Sequence, residues 1–329
     1  MTKRKALTAA LWLTAIWQTG AQPAQSPRKT GIDKPAVRHK MSELTPTATI
    51  PLGGDPDWMA VTADGVWVAM SSLNRVVRLD ATTNQAGPEV KVAEPCSGLV
   101  ADFGSIWIPS CGEHKLIRAD ARTGARQAVV DAGPGDSEGG ICSGAGSIWI
   151  VSTKASELLR IDPKSNQVIA RIHLPPASMN PVFANGSIWV SSKTGGMLVR
   201  VDAGRNSVVG ETPVGPSPRF LTVGAGSVWA LNQGDGSIAR VDAKTGRRTA
   251  LIRAGIPGPG GEIAFGEGAI WATVFGFPIT KIEAESNEIT SQWAGPGGDS
   301  IRVGHGSLWL TDLKGGRVWR FAIPQNQRP

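Results

Sequence analysis

Residues 224–231 read Gly-Ala-Gly-Ser-Val-Trp-Ala-Leu, and versions of this block recur along the 329-residue chain. In each copy a glycine, usually followed by serine and an aliphatic residue, leads into a tryptophan. Successive copies lie about 40 residues apart, a period typical of the four-stranded blades of β-propellers. The seven tryptophans of the block are Trp67, Trp107, Trp149, Trp189, Trp229, Trp271 and Trp309.

The repeat around Trp229 shows what each unit contains. Its sequence predicts four short antiparallel strands separated by glycine turns or polar loops. Four such strands cannot bury both faces alone, so neighbouring blades have to cover them. In this arrangement the tryptophan fills the gap between adjacent sheets, and we expect it to be structural. The predicted strands span 220–223, 227–231, 237–241 and 248–253.

The predicted third strand carries a second repeated signature, a basic residue followed two positions later by an acidic one, as in Arg240 and Asp242. The acid opens a turn that contains asparagine or glycine, here Gly246, and these residues tolerate a positive φ. Aspartate at such a position can also accept hydrogen bonds from nearby amides. We therefore assign these carboxylates to turn formation and exclude them from the search for a functional site.

The ends of the repeat region indicate how the ring closes. The last repeat offers three strands, near 300–303, 307–311 and 317–323, while an unassigned strand at 48–52 precedes the first repeat. Pairing the early strand with the last repeat would leave no long exposed edge. The sequence thus predicts an all-β fold, a seven-bladed β-propeller of four-stranded antiparallel blades closed by an N-terminal strand. We expect this domain to span residues 46–325.

The first 21 residues have the order of a secretory signal peptide, with basic residues at 3–5, an apolar run at 6–17 and small residues up to Ala21. The apolar run is shorter than the ~20 residues that a membrane-spanning helix needs, so no membrane anchor is predicted. We expect cleavage after Ala21 and a periplasmic or secreted protein. Residues 22–45 are rich in Pro, Gln, Lys and Ser without apolar periodicity, which predicts a flexible leader.

The charge of the chain argues against some classes of partner. Of its 34 Lys and Arg residues, three lie in the signal peptide, which leaves 31 basic against 27 acidic residues and a net charge of +4. That charge is too small to indicate nucleic acid or a membrane surface as the partner. We expect a monomer that binds a small polar ligand or a periplasmic protein.

Propellers bind their ligands at one end of the central channel, where first strands begin and second strands end. Residues at these positions differ from blade to blade here, and a specific ligand would be recognised by such differences. A cation, two aromatic rings, an amide and four acids there could hold a polar ligand. The alternative is that they line a water-filled channel and form salt bridges with one another. The candidates are Asp57, Trp58, Asn180, Arg219, Phe220, Glu262, Asp299 and Asp312, with Glu138 in reserve.

Three cysteines in an exported chain leave one unpaired. Cys96 precedes the first strand of the second repeat and Cys111 follows its second strand, and a hairpin turning near Phe103 would bring them opposite each other. We therefore predict a Cys96–Cys111 disulfide, worth about 3 kcal/mol for a closed loop of that length. Cys142 is predicted to be a small buried apolar residue rather than a nucleophile.

The sequence does not identify a catalytic residue or a metal ligand. The four histidines lie in the leader, in loops or on an outer strand, and none shares a predicted surface with another. Glu113 beside His114 could form an acid–base pair, although a solvated loop is the simpler interpretation. No serine stands in a nucleophile-elbow context near a histidine.

The block Gly-Ser-Ile-Trp at 146–149 and the later Arg-Ile-Asp at 160–162, repeated in variants around the chain, resemble the streptogramin B lyase family and the related YncE-type periplasmic propellers. The resemblance covers nearly the whole chain after the signal peptide, and the shared motifs are those that build blades. For the lyases, the resemblance implies a reaction that opens a cyclic depsipeptide at its ester by elimination. This reaction depends on a histidine next to a proline at the start of a first strand, and nearby carboxylates hold magnesium.

This chain departs from the lyase pattern at the matching prolines, which are followed by Asp57, Cys96 and Arg219, and it contains no Pro-His pair. We therefore predict an exported propeller that binds a small polar ligand or protein partner at the channel mouth without catalysis. The alternative is a lyase or lactonase that acts on a cyclic ester with a divalent cation. Magnesium or calcium would then be held by the mouth carboxylates, since both cations prefer oxygen ligands.

Overall fold

A computed structural model describes residues 28–134, 140–152 and 156–323 of the chain. The predicted signal peptide lies outside these residues. Within them, six four-stranded sheets and one five-stranded sheet form the seven blades of a β-propeller, which confirms the predicted fold class. The first strands of neighbouring blades contact one another and surround the central channel.

The blades follow one another in chain order, and each runs from the channel outward. The described part of the chain contains two short 3-10 helices, Met41–Glu43 and Ser71–Leu73. Neither is long and apolar enough to cross a membrane. The strands are, for blade 1, Pro56–Val61, Gly65–Met70, Arg75–Asp80 and Ala86–Lys91; for blade 2, Val100–Asp102, Ser105–Ser110, Lys115–Asp120 and Arg126–Val130; for blade 3, Ile141–Gly144, Ser147–Ser152, Glu157–Asp162 and Gln167–His173; for blade 4, Ser178–Ala184, Ser187–Ser192, Met197–Asp202 and Ser207–Pro213; for blade 5, Pro218–Gly224, Ser227–Asn232, Ser237–Asp242 and Arg248–Arg253; for blade 6, Glu262–Gly266, Ala269–Val274, Phe277–Glu283 and Ile289–Ala294; and for blade 7, Ile301–Gly304, Ser307–Asp312, Arg317–Ala322 and Ala48–Pro51.

Ring closure takes the predicted form. The strand Ala48–Pro51 pairs antiparallel with Arg317–Ala322, with Ala48 opposite Arg320 and Pro51 opposite Arg317. The outermost strand of blade 7 therefore comes from the beginning of the propeller domain, and the last blade has four strands like the others.

All seven repeat tryptophans are completely buried, and each lies in a cluster with apolar residues of the next blade. Trp229 of blade 5 clusters with Ile270 and Ile282 of blade 6. At the seam of the ring, Trp309 of blade 7 clusters in the same way with Val66 of blade 1. The tryptophans are thus wedges between sheets, as the repeat predicts.

The basic residue of the third strand also joins adjacent blades. In blade 5 the Arg240 guanidinium lies over the Trp229 ring, 4.8 Å from its centre, and Nε donates to Ser227 Oγ at 2.9 Å. Its Nη1 donates to the carbonyl of Ala284 and to Asn287 Oδ1, both in blade 6, at 2.7 and 2.9 Å. The repeated serine, tryptophan and arginine therefore act as one unit that holds two blades together.

The repeated acids form turns, as expected. Asp242 Oδ1 accepts hydrogen bonds from the backbone N–H of Thr245 and of Lys244, and these bonds lower the pKa of its carboxyl. Gly246 in the same turn has φ +75°, a conformation that favours glycine.

Glycines at the ends of several first strands allow neighbouring blades to approach closely. A Cβ at Gly224 would overlap the Phe265 ring of the next blade, and a Cβ at Gly144 would overlap the Phe183 ring. The inner ring therefore packs by placing a large side chain of one blade against a glycine of the blade before it.

The described part of the leader, residues 28–45, contacts the propeller in a way that its composition did not predict. Gly31 N–H donates to the Gly255 carbonyl at 2.9 Å, and Ile32 N–H donates to Gln292 Oε1 at 2.7 Å. The strand Arg38–Lys40 then pairs in parallel with the outer strand of blade 6 as its fifth strand. This segment covers the edge of one blade.

The cysteines of blade 2 follow the prediction. Cys96 and Cys111 form a disulfide that closes the hairpin whose turn contains Phe103, a residue with φ +54°. Cys142 is buried and unbridged, and burial raises the pKa of its thiol well above the ordinary value. A thiol in that environment is not an activated nucleophile.

Candidate functional site

The strand directions bring most of the predicted residues to one end of the channel. First strands run away from this end and second strands return to it, so Asp57, Arg219 and Glu262 begin three different blades at the same mouth. Asp299 lies two residues before the first strand of blade 7. Four blades thus contribute charged side chains to the mouth.

Asp57 of blade 1 and Asp299 of blade 7 are hydrogen-bonded through their carboxyl groups. Burial raises the pKa of Asp57 well above its ordinary value, and the charges of Asp299 and Glu262 raise it further. Burial also raises the pKa of Asp299, although the Gly261 N–H, which donates to Asp299 Oδ1 at 3.0 Å, acts in the opposite direction. The shift is thus directed toward the protonated form most strongly at Asp57.

Arg219 lies beside this acid pair. Its guanidinium lies over the Phe220 ring, 5.3 Å from the ring centre, and its charge interacts with that of Asp299. Burial lowers the pKa of this guanidinium, while Asp299 acts against the change. The backbone carbonyl of Arg219 accepts hydrogen bonds from Asn180 Nδ2 at 3.2 Å and Ser191 Oγ at 2.7 Å. Asn180 therefore holds the strand that carries Arg219.

Trp58 of blade 1 and Phe220 of blade 5 meet across the channel with their ring centres 5.8 Å apart. Both rings border a small cavity of about 20 Å³ at the mouth, which is also lined by Asp57, Glu262 and Asp299. The same two rings border the main channel cavity of about 350 Å³. The aromatic pair therefore stands between the acid pair and the channel interior.

Glu262 forms a buried ion pair with Arg302, which also faces the channel. Its other carboxylate oxygen accepts hydrogen bonds from Ser300 Oγ and from the Ile301 N–H, the latter at 3.2 Å. This carboxylate is thus neutralised and hydrogen-bonded by blade 7. It contributes negative charge near Asp57 but has little remaining capacity for a ligand.

Asp312 does not join the others. It accepts a hydrogen bond from Arg317 Nε at 2.9 Å and another from the Gly315 N–H at 3.1 Å. These contacts place it in the hairpin between the second and third strands of blade 7. The Asp312–Arg317 and Glu262–Arg302 pairs are salt bridges of the kind that the alternative interpretation from the sequence expects.

A second cavity, of about 340 Å³, adjoins the mouth between blades 4, 5 and 6. Arg219 and Lys193 contribute its charged side chains. Gln233 and the loop 257–259 form much of the remaining wall, and Gln233 Nε2 donates to the Gly260 carbonyl at 3.1 Å. We refer to this cavity as the side pocket.

Sequence reasoning missed Lys193 and Arg302, although both leave a signal in the repeat. Seven residues before each tryptophan the chain has aliphatic residues, cysteine or threonine, except for Arg302 in the last blade. At the position four residues after the tryptophan, Lys193 is the charged residue and the other six repeats have uncharged residues. A comparison of more positions between blades would have found both.

Histidines and metal ligands do not cluster in the part of the chain that the structure describes. His305 Nε2 is 3.0 Å from the Thr62 carbonyl, at the end of the propeller opposite the mouth. Among the described residues, no group of three or more His, Cys, Asp and Glu is placed to hold a metal ion. Glu138, the reserve candidate, lies outside the described residues.

Several solved structures have folds similar to that of this chain, among them those of two lyases and of BamB. A streptogramin B lyase is 19% identical, with a TM-score of 0.67 over 83% of this chain and 96% of the lyase. A catalytically inactive histidine-to-alanine variant of virginiamycin B lyase from Staphylococcus aureus, solved with quinupristin, is 15% identical, with a TM-score of 0.71 over 84% of this chain and 99% of that one. BamB from Moraxella catarrhalis is 14% identical, with a TM-score of 0.61 over 84% and 100%.

The fold and the mouth define a class, a seven-bladed β-propeller with an ionisable site at one end of its channel. Within that class, the chain has a streptogramin B lyase-like propeller fold. At these identities the likeness concerns the fold alone. Comparison of the sequence with protein-family profiles and with curated proteins gives no match.

Proposed function

We propose that this chain is an exported propeller that binds a small polar ligand at the mouth of its channel. The observation that carries the proposal is the convergence of Asp57, Glu262 and Asp299, from three blades, around one small cavity, with Arg219 of a fourth blade close enough for its charge to interact with that of Asp299. Residues that distant in the sequence come together only because the ring closes around them.

The energetics of the acid pair support a binding role. Two hydrogen-bonded carboxyl groups in a buried setting cost folding free energy, because burial disfavours the ionised form of each. Strongly perturbed carboxyl groups in a cavity are typical of functional sites, although structural networks also produce them. Asp57 and Asp299 hold blades 1 and 7 together less well than an apolar pair would, so we attribute them to ligand recognition.

The surroundings of the pair indicate the kind of ligand. Trp58 and Phe220 provide apolar faces directly beside the carboxyl groups, and Arg219 provides a cation within range of Asp299. Small-molecule sites commonly combine aromatic rings with a few polar groups at defined positions. The side pocket, at about 340 Å³, falls in the range of small-molecule sites, and the mouth cavity, at about 20 Å³, has room for a single group of such a molecule.

Export is part of the same proposal. The order of residues at the start of the chain is that of a signal peptide, and the Cys96–Cys111 disulfide suits an oxidising compartment. Cell fractionation with a C-terminal tag tests this: the tagged chain should be found outside the cytoplasm, shortened by cleavage after Ala21. A full-length cytoplasmic product would contradict export but not ligand binding.

The binding proposal is tested by thermal unfolding of the purified chain with a panel of amino acids, amines, organic acids and sugars, followed by calorimetry of each compound that stabilises it. Asp299→Asn should weaken binding of such a compound about tenfold or more, since it removes a charged hydrogen-bond partner. Asp131→Asn, on the exposed rim, is the matched control and should bind as the wild type does.

Two results would contradict the proposal. One is equal affinity in the Asp299→Asn and Asp131→Asn variants. The other is magnesium-dependent turnover of a cyclic ester by the purified chain, which would support the lyase alternative. Quinupristin is a suitable substrate for that assay because a structurally similar lyase variant was solved with it.

A further inference from the structure

We infer that the ligand is a small zwitterion, whose anionic group occupies the side pocket and whose ammonium group lies at the Asp57–Asp299 pair. This inference rests on the proposed function and adds the chemical class of the ligand. It comes from the charges on the two adjoining cavities at the mouth, which are opposite in kind.

The side pocket carries positive charge. Lys193 and Arg219 line it, and no acidic residue is among the described residues of its wall. Lys29 is a third cation close to the pocket. Its Nζ would lie 3.1 Å from a Cβ placed on Gly258, which is part of the pocket wall. With about 340 Å³ of space, the pocket can accept a carboxylate or a phosphate together with its hydration or its attached chain.

The wall of the side pocket is held by hydrogen bonds. The Gly258 N–H donates to the Gln233 carbonyl at 2.8 Å, and Gln233 Nε2 donates to the Gly260 carbonyl at 3.1 Å. Lys29 Nζ donates to the carbonyl of Phe275, which packs beside Gly260. The pocket is therefore part of the folded structure and does not require a ligand to form.

The two cavities border the same loop, residues 257–261. Gly260 and Gly261 line the mouth cavity, and residues 257–259 of the same loop line the side pocket. Arg219 lines the side pocket, and its charge interacts with that of Asp299 at the mouth. A guanidinium has five N–H donors in a planar fork, so Arg219 can contact a ligand anion while remaining beside Asp299.

The acid pair suits an ammonium group. Glu262 is already paired with Arg302, so the carboxyl groups available to a ligand are those of Asp57 and Asp299, which line the mouth cavity. An ammonium group would donate hydrogen bonds and supply positive charge to both carboxyl groups, and a proton held between them would pass to solvent as the ligand binds. The Trp58 and Phe220 rings beside the pair add cation–π attraction.

The test is calorimetry with zwitterions and their singly charged analogues. The carboxylate arm uses glycine, β-alanine and γ-aminobutyrate against butyrate and butylammonium, and the phosphate arm uses phosphoethanolamine against inorganic phosphate. We expect one zwitterion to bind at least about tenfold more tightly than its singly charged analogues. The arm that contains it distinguishes a carboxylate from a phosphate ligand.

Variants assign the two ends of the ligand. Lys193→Ala should weaken binding of the zwitterion about tenfold and leave butylammonium unchanged, whereas Asp299→Asn should weaken both. Lys244→Ala, an exposed lysine in a turn at the opposite end of the propeller, is the control and should have no effect.

The inference and the proposed function fail in different ways. A singly charged analogue that binds as tightly as every zwitterion, with Asp299→Asn weakening it, would overturn the inference and leave the mouth as a binding site. Zwitterion binding that is unchanged in Lys193→Ala would also overturn it. Binding that neither Lys193→Ala nor Asp299→Asn affects would contradict both.

Discussion

Asp57 and Asp299, 242 positions apart in the sequence, are hydrogen-bonded across the seam between the first and last blades, and the pKa of each carboxyl is raised there. Their contact joins the closure of the ring to the chemistry of its mouth, because the blade-1 strand that carries Asp57 directly follows the closing strand Ala48–Pro51. The pair also makes the stability of the fold depend on pH.

The first prediction concerns Asp57→Asn. The pKa of Asp57 is higher in the folded chain than in the unfolded chain. The contribution of this carboxyl group to the free energy of unfolding is therefore complete below the ordinary pKa of about 4 and is lost as pH rises through the raised pKa. Asparagine keeps a donor toward Asp299 without titrating. The variant should therefore gain stability relative to the wild type as pH rises from 4 to 8 in thermal unfolding.

Asp131→Asn serves as the control for this experiment. Asp131 is exposed and its pKa is lowered, first of all by its hydrogen bond from Lys115, so its substitution should not reproduce the trend. A stability difference between Asp57→Asn and the wild type that is constant with pH would show that the pair does not retain its proton.

The second prediction concerns the glycine at the end of the first strand in blade 5. A Cβ on Gly224 would overlap the Phe265 ring, so Gly224→Ala should lower the free energy of unfolding by about 2 kcal/mol or more through overpacking. Gly210→Ala is the matched control, because nothing lies within 4 Å of a Cβ there and its φ is not positive. Chemical denaturation of both variants measures the difference, and equal stabilities would contradict the close packing of blades 5 and 6.

The third prediction concerns the arginine that joins blades 5 and 6. Arg240→Lys keeps the charge above Trp229 but loses the fork that contacts Ser227, Ala284 and Asn287. We expect a loss of about 1–3 kcal/mol, the range for charged hydrogen bonds. Arg205→Lys, whose side chain is exposed, should change stability by less than about 0.5 kcal/mol in the same denaturation experiment.

The fourth prediction concerns the blade-2 disulfide. Its cysteines are 15 residues apart, so replacing both with serine should cost about 3 kcal/mol. A thiol assay in denaturant should find one reactive group in the wild type, that of Cys142, and three after reduction. Three free thiols without reductant would contradict the disulfide, and Cys142→Ala provides the blank.

Much of the fold could be predicted because the same physical problem is solved seven times. A tryptophan that must fill a gap between sheets recurs at a fixed interval, so Trp229 and Trp309 identify equivalent strands without any structural knowledge. The strand limits were less accurate. The first strand of blade 5 begins at Pro218 rather than at residue 220, because its pairing shifts register between Pro218 and Phe220.

The mouth was predicted in part for the same reason. Strand direction and differences between blades pointed to Asp57, Arg219 and Asp299, but their mutual contacts depend on side-chain directions around a closed ring. Asp312 shows the limit of the approach, since its position in the repeat matches the mouth while its hydrogen bonds are local. The side pocket depends on the shape of the loop at 257–261, for which no periodic pattern exists.

The third-strand arginines of blades 1 to 5 and of blade 7 all donate hydrogen bonds in the same direction around the ring, to the blade that follows. Arg320 extends this pattern across the seam, donating to the Ala81 carbonyl at 2.6 Å and to Asn84 Oδ1 at 2.9 Å, as Arg240 does with Ala284 and Asn287. Packing therefore does not distinguish the seam from an internal boundary. In a circular permutant with new termini in a loop at the mouth end of another blade, each blade should have equivalent neighbours, and the chain should form the same ring.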